Sequence, residues 1–225
     1  VPAGPFRMGS RKKDDPDAFE DEMPQFEYDL PYDYYVARYP VTNAQFQAFV
    51  RAGGYGKPGY WPEAEAAGVW ARDKVRGVTL RRRKERFEEV EEWREGPADF
   101  GEPFSLPNHP VVGMTWYEAL AYGRWLTDVL REWPGTPEPL ATLLRVRVEG
   151  GPAGARGPVP ALSAVEGPLP WEVTLPSEAE WEKAARGGLQ VPDPAGGVTL
   201  VDNPAPGRRY PWGDEPDPER ANYGA

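Results

Sequence analysis

The residue types that most often carry enzyme chemistry are thinly spread in this chain. It has no cysteine, so it can form no disulfide and no thiolate metal site, and it has no thiol nucleophile. Its single histidine, His109, stands beside Pro110 and lacks the partners of a zinc set. No phosphate-binding glycine loop, HExxH helix or serine nucleophile elbow occurs. Acidic residues gather between Asp14 and Asp33, and they read as a solvated loop rather than a cation site. Basic residues gather at Arg81, Arg82, Arg83, Lys84 and Arg86. The acids Glu88, Glu89, Glu91 and Glu92 follow at once, which argues against a face that tracks phosphates.

Three helices with clear start signals could position whatever chemistry exists. Ser177 and Glu180 form a capping box: the serine hydroxyl accepts the N–H three residues on, and the glutamate reaches back to the serine N–H. Gly187 and Gly188 end that helix. Thr42 with Gln45 opens a second helix near Val41–Gly54, and Thr115 with Glu118 a third near Val112–Arg131. Phe46, Phe49 and Val50 form the apolar face of the helix after Thr42. Trp116, Ala119, Leu120, Gly123, Leu126 and Leu130 are expected to line the core face of the helix after Thr115, with Trp125 beside them. Phe26, Tyr28 and Leu30 alternate as in a half-buried strand that Pro31 ends. Thr79–Glu95 is expected to be a surface helix striped by Phe87, Val90 and Trp93. Its acid–base pairs support this, although its charge order opposes the helix dipole. Leu143–Val148 alternates as a hairpin arm would, and the Gly/Pro-rich run Gly150–Gly167 reads as a dispensable, mobile loop.

Composition bounds the class. The 225 residues suit one domain with insertions. Pro 28 and Gly 25 indicate many loops, while Trp 9, Tyr 11 and Phe 8 supply a core. The net charge of −10 makes nucleic acid an improbable partner. No transmembrane segment or signal peptide is visible, and the compartment cannot be read. Abundant arginine suits a thermophilic source, but a GC-rich genome gives the same bias.

Five stretches resemble the formylglycine-generating (sulfatase-modifying factor) family, in that family's order. They are VPAGPFRMGS, YYVARYPVTNAQFQAFV, HPVVGMTWYEALAYGRWL, LPSEAEWEKAARGG and YPWGDEPDPERANYGA. The resemblance implies an α+β, C-type-lectin-like fold with a small antiparallel sheet, few helices and much irregular structure. It implies one family domain over residues 1–225, with its C-terminal part missing and insertions at about 55–106 and 134–171. Gly123 stands where the family often has a cysteine. In calcium-binding members, the word matching the chain's end supplies an Asn side-chain oxygen and the carbonyl after it. Carried over, these are Asn222 and Tyr223, with Asn222 as a simple turn residue the competing reading. No catalytic residue and no other cofactor is assigned.

The oxidase members use a cysteine pair to bind copper, and these residues hold none. The leading expectation is therefore a non-catalytic scaffold resembling variable proteins of diversity-generating retroelements. It would bind a protein or other ligand through a C-terminal surface outside these residues. The alternative is a formylglycine-generating oxidase whose cysteines lie beyond residue 225. An iron-dependent sulfoxide synthase of ergothioneine type needs a His-rich helical domain upstream, and His109 alone gives it no support. An effector domain fused to a signalling ATPase is compatible with the same residues.

Overall fold

The computed structural model describes residues 1–83, 86–145, 171–196 and 199–220. The architecture is α+β, with few helices and three small antiparallel sheets. The chain divides into two compact units, Val1–Arg38 with Pro176–Ala225, and Tyr39–Leu175. Among the described residues no helix is long and apolar enough to cross a membrane.

The smaller unit starts with a two-stranded ribbon. β1 (Gly4–Met8) pairs antiparallel with β2 (Phe26–Leu30), placing Phe6 opposite Tyr28. The expected strand is present and ends before Pro31, but only Leu30 of its three apolar residues is buried. Phe6, Leu30 and Tyr34 form the core, with Ala179 of the last helix packed against them.

That helix, α5 (Glu178–Arg186), begins as expected. The Glu180 N–H donates to Ser177 Oγ at 3.3 Å, and the Ser177 N–H donates to Glu180 Oε2 at 2.7 Å. It ends at Gly187, whose φ of +81° is a backbone conformation that a side chain resists. Glu182, Lys183 and Arg186 of this helix bond to backbone. Lys183 Nζ is buried and donates to the Gly4 carbonyl at 2.7 Å. Glu182 Oε1 accepts the Gly9 N–H, and Arg186 donates to the Gly9 carbonyl. Burial lowers the Lys183 pKa, with Asp29 and Asp33 opposing the shift. The short pair β6 (Gln190–Pro192) and β7 (Leu200–Asp202) follows. Asn203, also buried, donates to the carbonyls of Arg186 and Gly188 and so ties the pair to the end of α5.

The larger unit is organised by two further boxed helices, α1 (Asn43–Arg51) and α3 (Trp116–Glu132). Both capping boxes are complete. Phe46 and Phe49 of α1 pack with Tyr55, Tyr60, Trp61, Ala64, Val75, Ala121 and Tyr122. The stretch 55–106 thus supplies much of this core. It includes the short helix α2 (Pro62–Ala66), where Glu63 bonds Arg124 of α3 at 2.7 Å.

The core face of α3 is partly the one expected: Gly123 is buried and Leu126 and Trp125 pack against the core. Trp116 is exposed, while Glu118, Ala121, Tyr122, Gly123 and Thr127 are buried. Glu118 is 0 % exposed. It accepts from the Thr115 N–H at 2.6 Å, from Arg94 Nη2 at 2.9 Å and from the Tyr55 hydroxyl. Hydropathy could not reveal the burial of Glu118, because the residue is charged. Gly123 meets the incoming chain directly: a Cβ there would lie 2.6 Å from the Val173 carbonyl oxygen. The family's frequent cysteine would collide at this position.

Two further expectations fail. Thr79–Glu95 is not a helix. β4 (Lys74–Arg83) and β5 (Arg86–Arg94) pair antiparallel, with Arg81 opposite Glu88 and Val78 opposite Glu91, and the short β3 (Trp70–Ala71) joins the edge of β4. The basic-then-acidic order that disfavours one helix suits a hairpin, because it sets a basic strand beside an acidic one. Burial alternates accordingly, with Val75, Gly77 and Thr79 inside and Arg76 and Val78 outside. The second failure is the hairpin arm. Leu140–Arg145 is helix α4, which buries Ala141 and Leu144 three residues apart on one face. The rest of that segment and the Gly150–Gly167 loop lie outside the described residues.

Three outcomes are expected from this packing. Ser177→Ala removes one half of a capping box and should cost about 1 kcal/mol in urea unfolding. Glu118→Ala leaves the Arg94 charge without its buried partner and should cost about 3–5 kcal/mol by the same measurement. Tyr34 donates to the Glu180 carbonyl at 2.6 Å, and burial, then the Glu180 charge, pushes its pKa up to about 12. The folded state therefore holds this proton more tightly than the unfolded state does. The contribution is fully present below about pH 10 and is lost as pH rises through about 12. Denaturant midpoints taken between these values should fall less steeply for Tyr34→Phe than for the wild type.

Candidate functional site

One open hollow of about 350 Å³ lies in the smaller unit. It is lined by Trp212, Gly213, Asp214, Glu215, Pro216, Asp217 and Arg220. A tight turn creates it, in which the Tyr210 N–H and the Gly213 N–H each bond the other residue's carbonyl. The turn stacks Tyr210 on Trp212, with ring centroids 5.2 Å apart and planes 4° from parallel.

Arg209 anchors the turn. Its guanidinium lies 5.5 Å from the centre of the Tyr210 ring and bridges Asp15 at 2.8 Å and Asp17 at 3.3 Å. Two of the acids expected to be merely solvated therefore hold the wall of the hollow. Asp15 and Asp17 raise the Arg209 pKa against a desolvation effect that lowers it. Inside the hollow the polar groups are largely engaged with one another. Asp214 accepts the Arg209 N–H at 3.0 Å, Asp217 accepts Arg220 Nε at 3.0 Å, and Trp212 Nε1 donates to the Glu215 carbonyl at 3.0 Å. The site offers an aromatic wall, carboxylate oxygens and a guanidinium. That is recognition chemistry, without a nucleophile or a paired acid and base.

Asn222 and Tyr223 are outside the described residues. His109 is half-buried; its backbone carbonyl accepts the Asn43 N–H, and its backbone N–H bonds the Leu106 carbonyl. Among the described residues no three His, Cys, Asp or Glu side chains come together to hold a metal. A thiolate copper site does not fit this donor set, since the sequence has no cysteine. The roles of Arg209, Asp214 and Asp217 escaped the sequence reading. The D-x-x-D spacing after an aromatic turn was the available signal, but the partners Asp15 and Asp17 lie nearly two hundred residues away.

Comparison with known proteins places the chain. The description "sulfatase-modifying factor enzyme 1-like domain" matches residues 1–225. The formylglycine-generating enzyme of Thermomonospora curvata is 30% identical over 231 residues, covering 97% of this chain and 52% of that protein. The hercynine oxygenase of Mycolicibacterium smegmatis is 28% identical, covering 100% of this chain and 36% of that protein. The hercynine oxygenase of Mycolicibacterium thermoresistibile is 30% identical, covering 98% and 34%. The chain thus spans about a third of the length of these oxygenases and about half that of the formylglycine-generating enzyme. With the family match running the whole length and the α+β, helix-poor fold agreeing with it, the chain belongs to the formylglycine-generating, sulfatase-modifying factor enzyme 1-like family.

Proposed function

We propose that these residues form the scaffold of an oxidising enzyme of the family, one that oxidises a cysteine thiol or oxygenates hercynine together with a thiol. The single observation that carries this reading is the family match along residues 1–225, shared with relatives whose names are those of enzymes. The non-catalytic binding scaffold expected from the sequence finds no support among those relatives, so it takes second place. Calcium at Asn222 and Tyr223 stays a proposal of the same standing.

In this reading the reacting groups come from polypeptide other than these cysteine-free residues. The capped helices and the two cores hold the frame, and the hollow beside Trp212 contributes contacts to a bound ligand.

The test uses the protein as its gene encodes it, in air, with two substrates. A cysteine-containing peptide is supplied with copper(I), and hercynine is supplied with iron(II) and a cysteine thiol as the sulfur donor. Mass spectrometry should show an aldehyde on the peptide or a sulfoxide that joins the thiol sulfur to hercynine. Residues 1–225 alone should give neither. Turnover by those residues alone would overturn the placement of the chemistry. Failure of the encoded protein on both substrates would return the binding scaffold to first place.

A further inference from the structure

The core of the larger unit contains a chain of oxidisable rings that ends at a carboxylate. Tyr55 is buried, and its ring centroid lies 5.0 Å from that of Trp61. Trp61 lies 6.3 Å from Trp70, with planes 13° from parallel. Trp70 is half-buried, so the sequence of rings runs from the core to the surface. Electron transfer by tunnelling weakens steeply with distance, and rings this close pass electrons far more readily than one long step would.

The hydrogen bonds along this line are unequal. Trp61 Nε1 donates to the Gly54 carbonyl and Trp70 Nε1 to the Tyr55 carbonyl, each at 3.0 Å. A backbone carbonyl is too weak a base to take a proton, so either oxidised indole stays a high-energy cation. The Tyr55 hydroxyl donates instead to Glu118 Oε1. Glu118 also accepts from Arg94 at 2.9 Å and from the Thr115 N–H at 2.6 Å. At that one ring, losing an electron can be joined to losing a proton, which avoids a buried positive charge.

We propose that Tyr55 is a redox-active tyrosine, the end point of an electron path through Trp70 and Trp61, with Glu118 as its proton acceptor. A one-electron oxidant at the surface takes an electron from Trp70 and is reduced. Trp61 refills Trp70, and Tyr55 refills Trp61. As Tyr55 loses its electron, its hydroxyl proton crosses to Glu118. The products are a neutral phenoxyl radical, a neutral Glu118 carboxyl and an oxidant richer by one electron. A thiol or enediol reductant returns an electron by the same path, and Glu118 returns the proton. Such a path would spare the core from oxidants met by a protein of this family, but it does not depend on which reaction that protein performs.

The experiment oxidises the purified protein with photogenerated ruthenium(III) trisbipyridine and follows the tyrosyl radical by freeze-quench electron paramagnetic resonance. The wild type should give a long-lived component beside the short-lived signals of surface tyrosines. Tyr55→Phe should lose the long-lived component. Tyr60→Phe should keep it, although Tyr60 also meets a carboxylate, Asp128, at 3.1 Å. Glu118→Gln and Trp70→Phe should both slow its appearance. Trp70 sits at the margin of the core, so this variant keeps the test valid should Tyr55→Phe fold poorly. An unchanged signal in folded Tyr55→Phe, or wild-type kinetics in folded Trp70→Phe, would overturn the proposal.

Discussion

A carboxylate shut off from water governs the larger unit. Glu118 has no exposed surface, and a lone buried charge would be costly enough to forbid the packing seen around it. Three donors from three parts of the chain remove that cost: the Tyr55 hydroxyl, the Arg94 guanidinium and the Thr115 N–H. Each constrains a different element. The Thr115 bond starts α3, the Arg94 bond draws the end of β5 against it, and the Tyr55 bond fixes the turn after α1. Arg94 also donates to the Gly113 carbonyl at 2.8 Å, so the approach to the helix is held by the same guanidinium. The aromatic cluster of Phe46, Phe49, Trp61 and Tyr122 fills the space between these fixed points. Its attraction is large but non-directional, and the buried polar group supplies the direction.

The smaller unit uses the same principle with a cation. The apolar core is small, built on Phe6, Leu30 and Tyr34. Helix α5 is instead joined to the first strand and the loop after it by Glu182, Lys183 and Arg186, which bond the backbone of Gly4 and Gly9. Asn203 repeats this at the C-terminal end of the helix, donating to the Gly188 carbonyl at 2.8 Å. Irregular backbone leaves many N–H and C=O groups without ladder partners, and side chains satisfy them here. A loop-rich fold therefore needs charged residues inside it, and the polar residues of the helix words serve that need.

This division of labour bears on function. The described residues spend their ionisable groups on architecture: Glu118, Lys183, Arg186 and Arg209 all have structural partners. One fold can host different activities, and the relatives of this chain carry two different names, formylglycine-generating enzyme and hercynine oxygenase.

Five separate stretches of the sequence carry the family. Local signals were enough to place the three boxed helices and the end of β2 at Pro31. Each depends on residues within a few positions of one another, so no tertiary information is needed to see it. The buried Glu118 and exposed Trp116 of α3, the hairpin of β4 and β5, and α4 were decided by the tertiary structure. Acid–base pairs three or four apart look alike on a helix and across a tight hairpin until the partner strand is known. Glu118 reads from the sequence as a helix cap and nothing more. Its burial depends on Tyr55 and Arg94, 63 and 24 residues away, which only the folded chain brings to it.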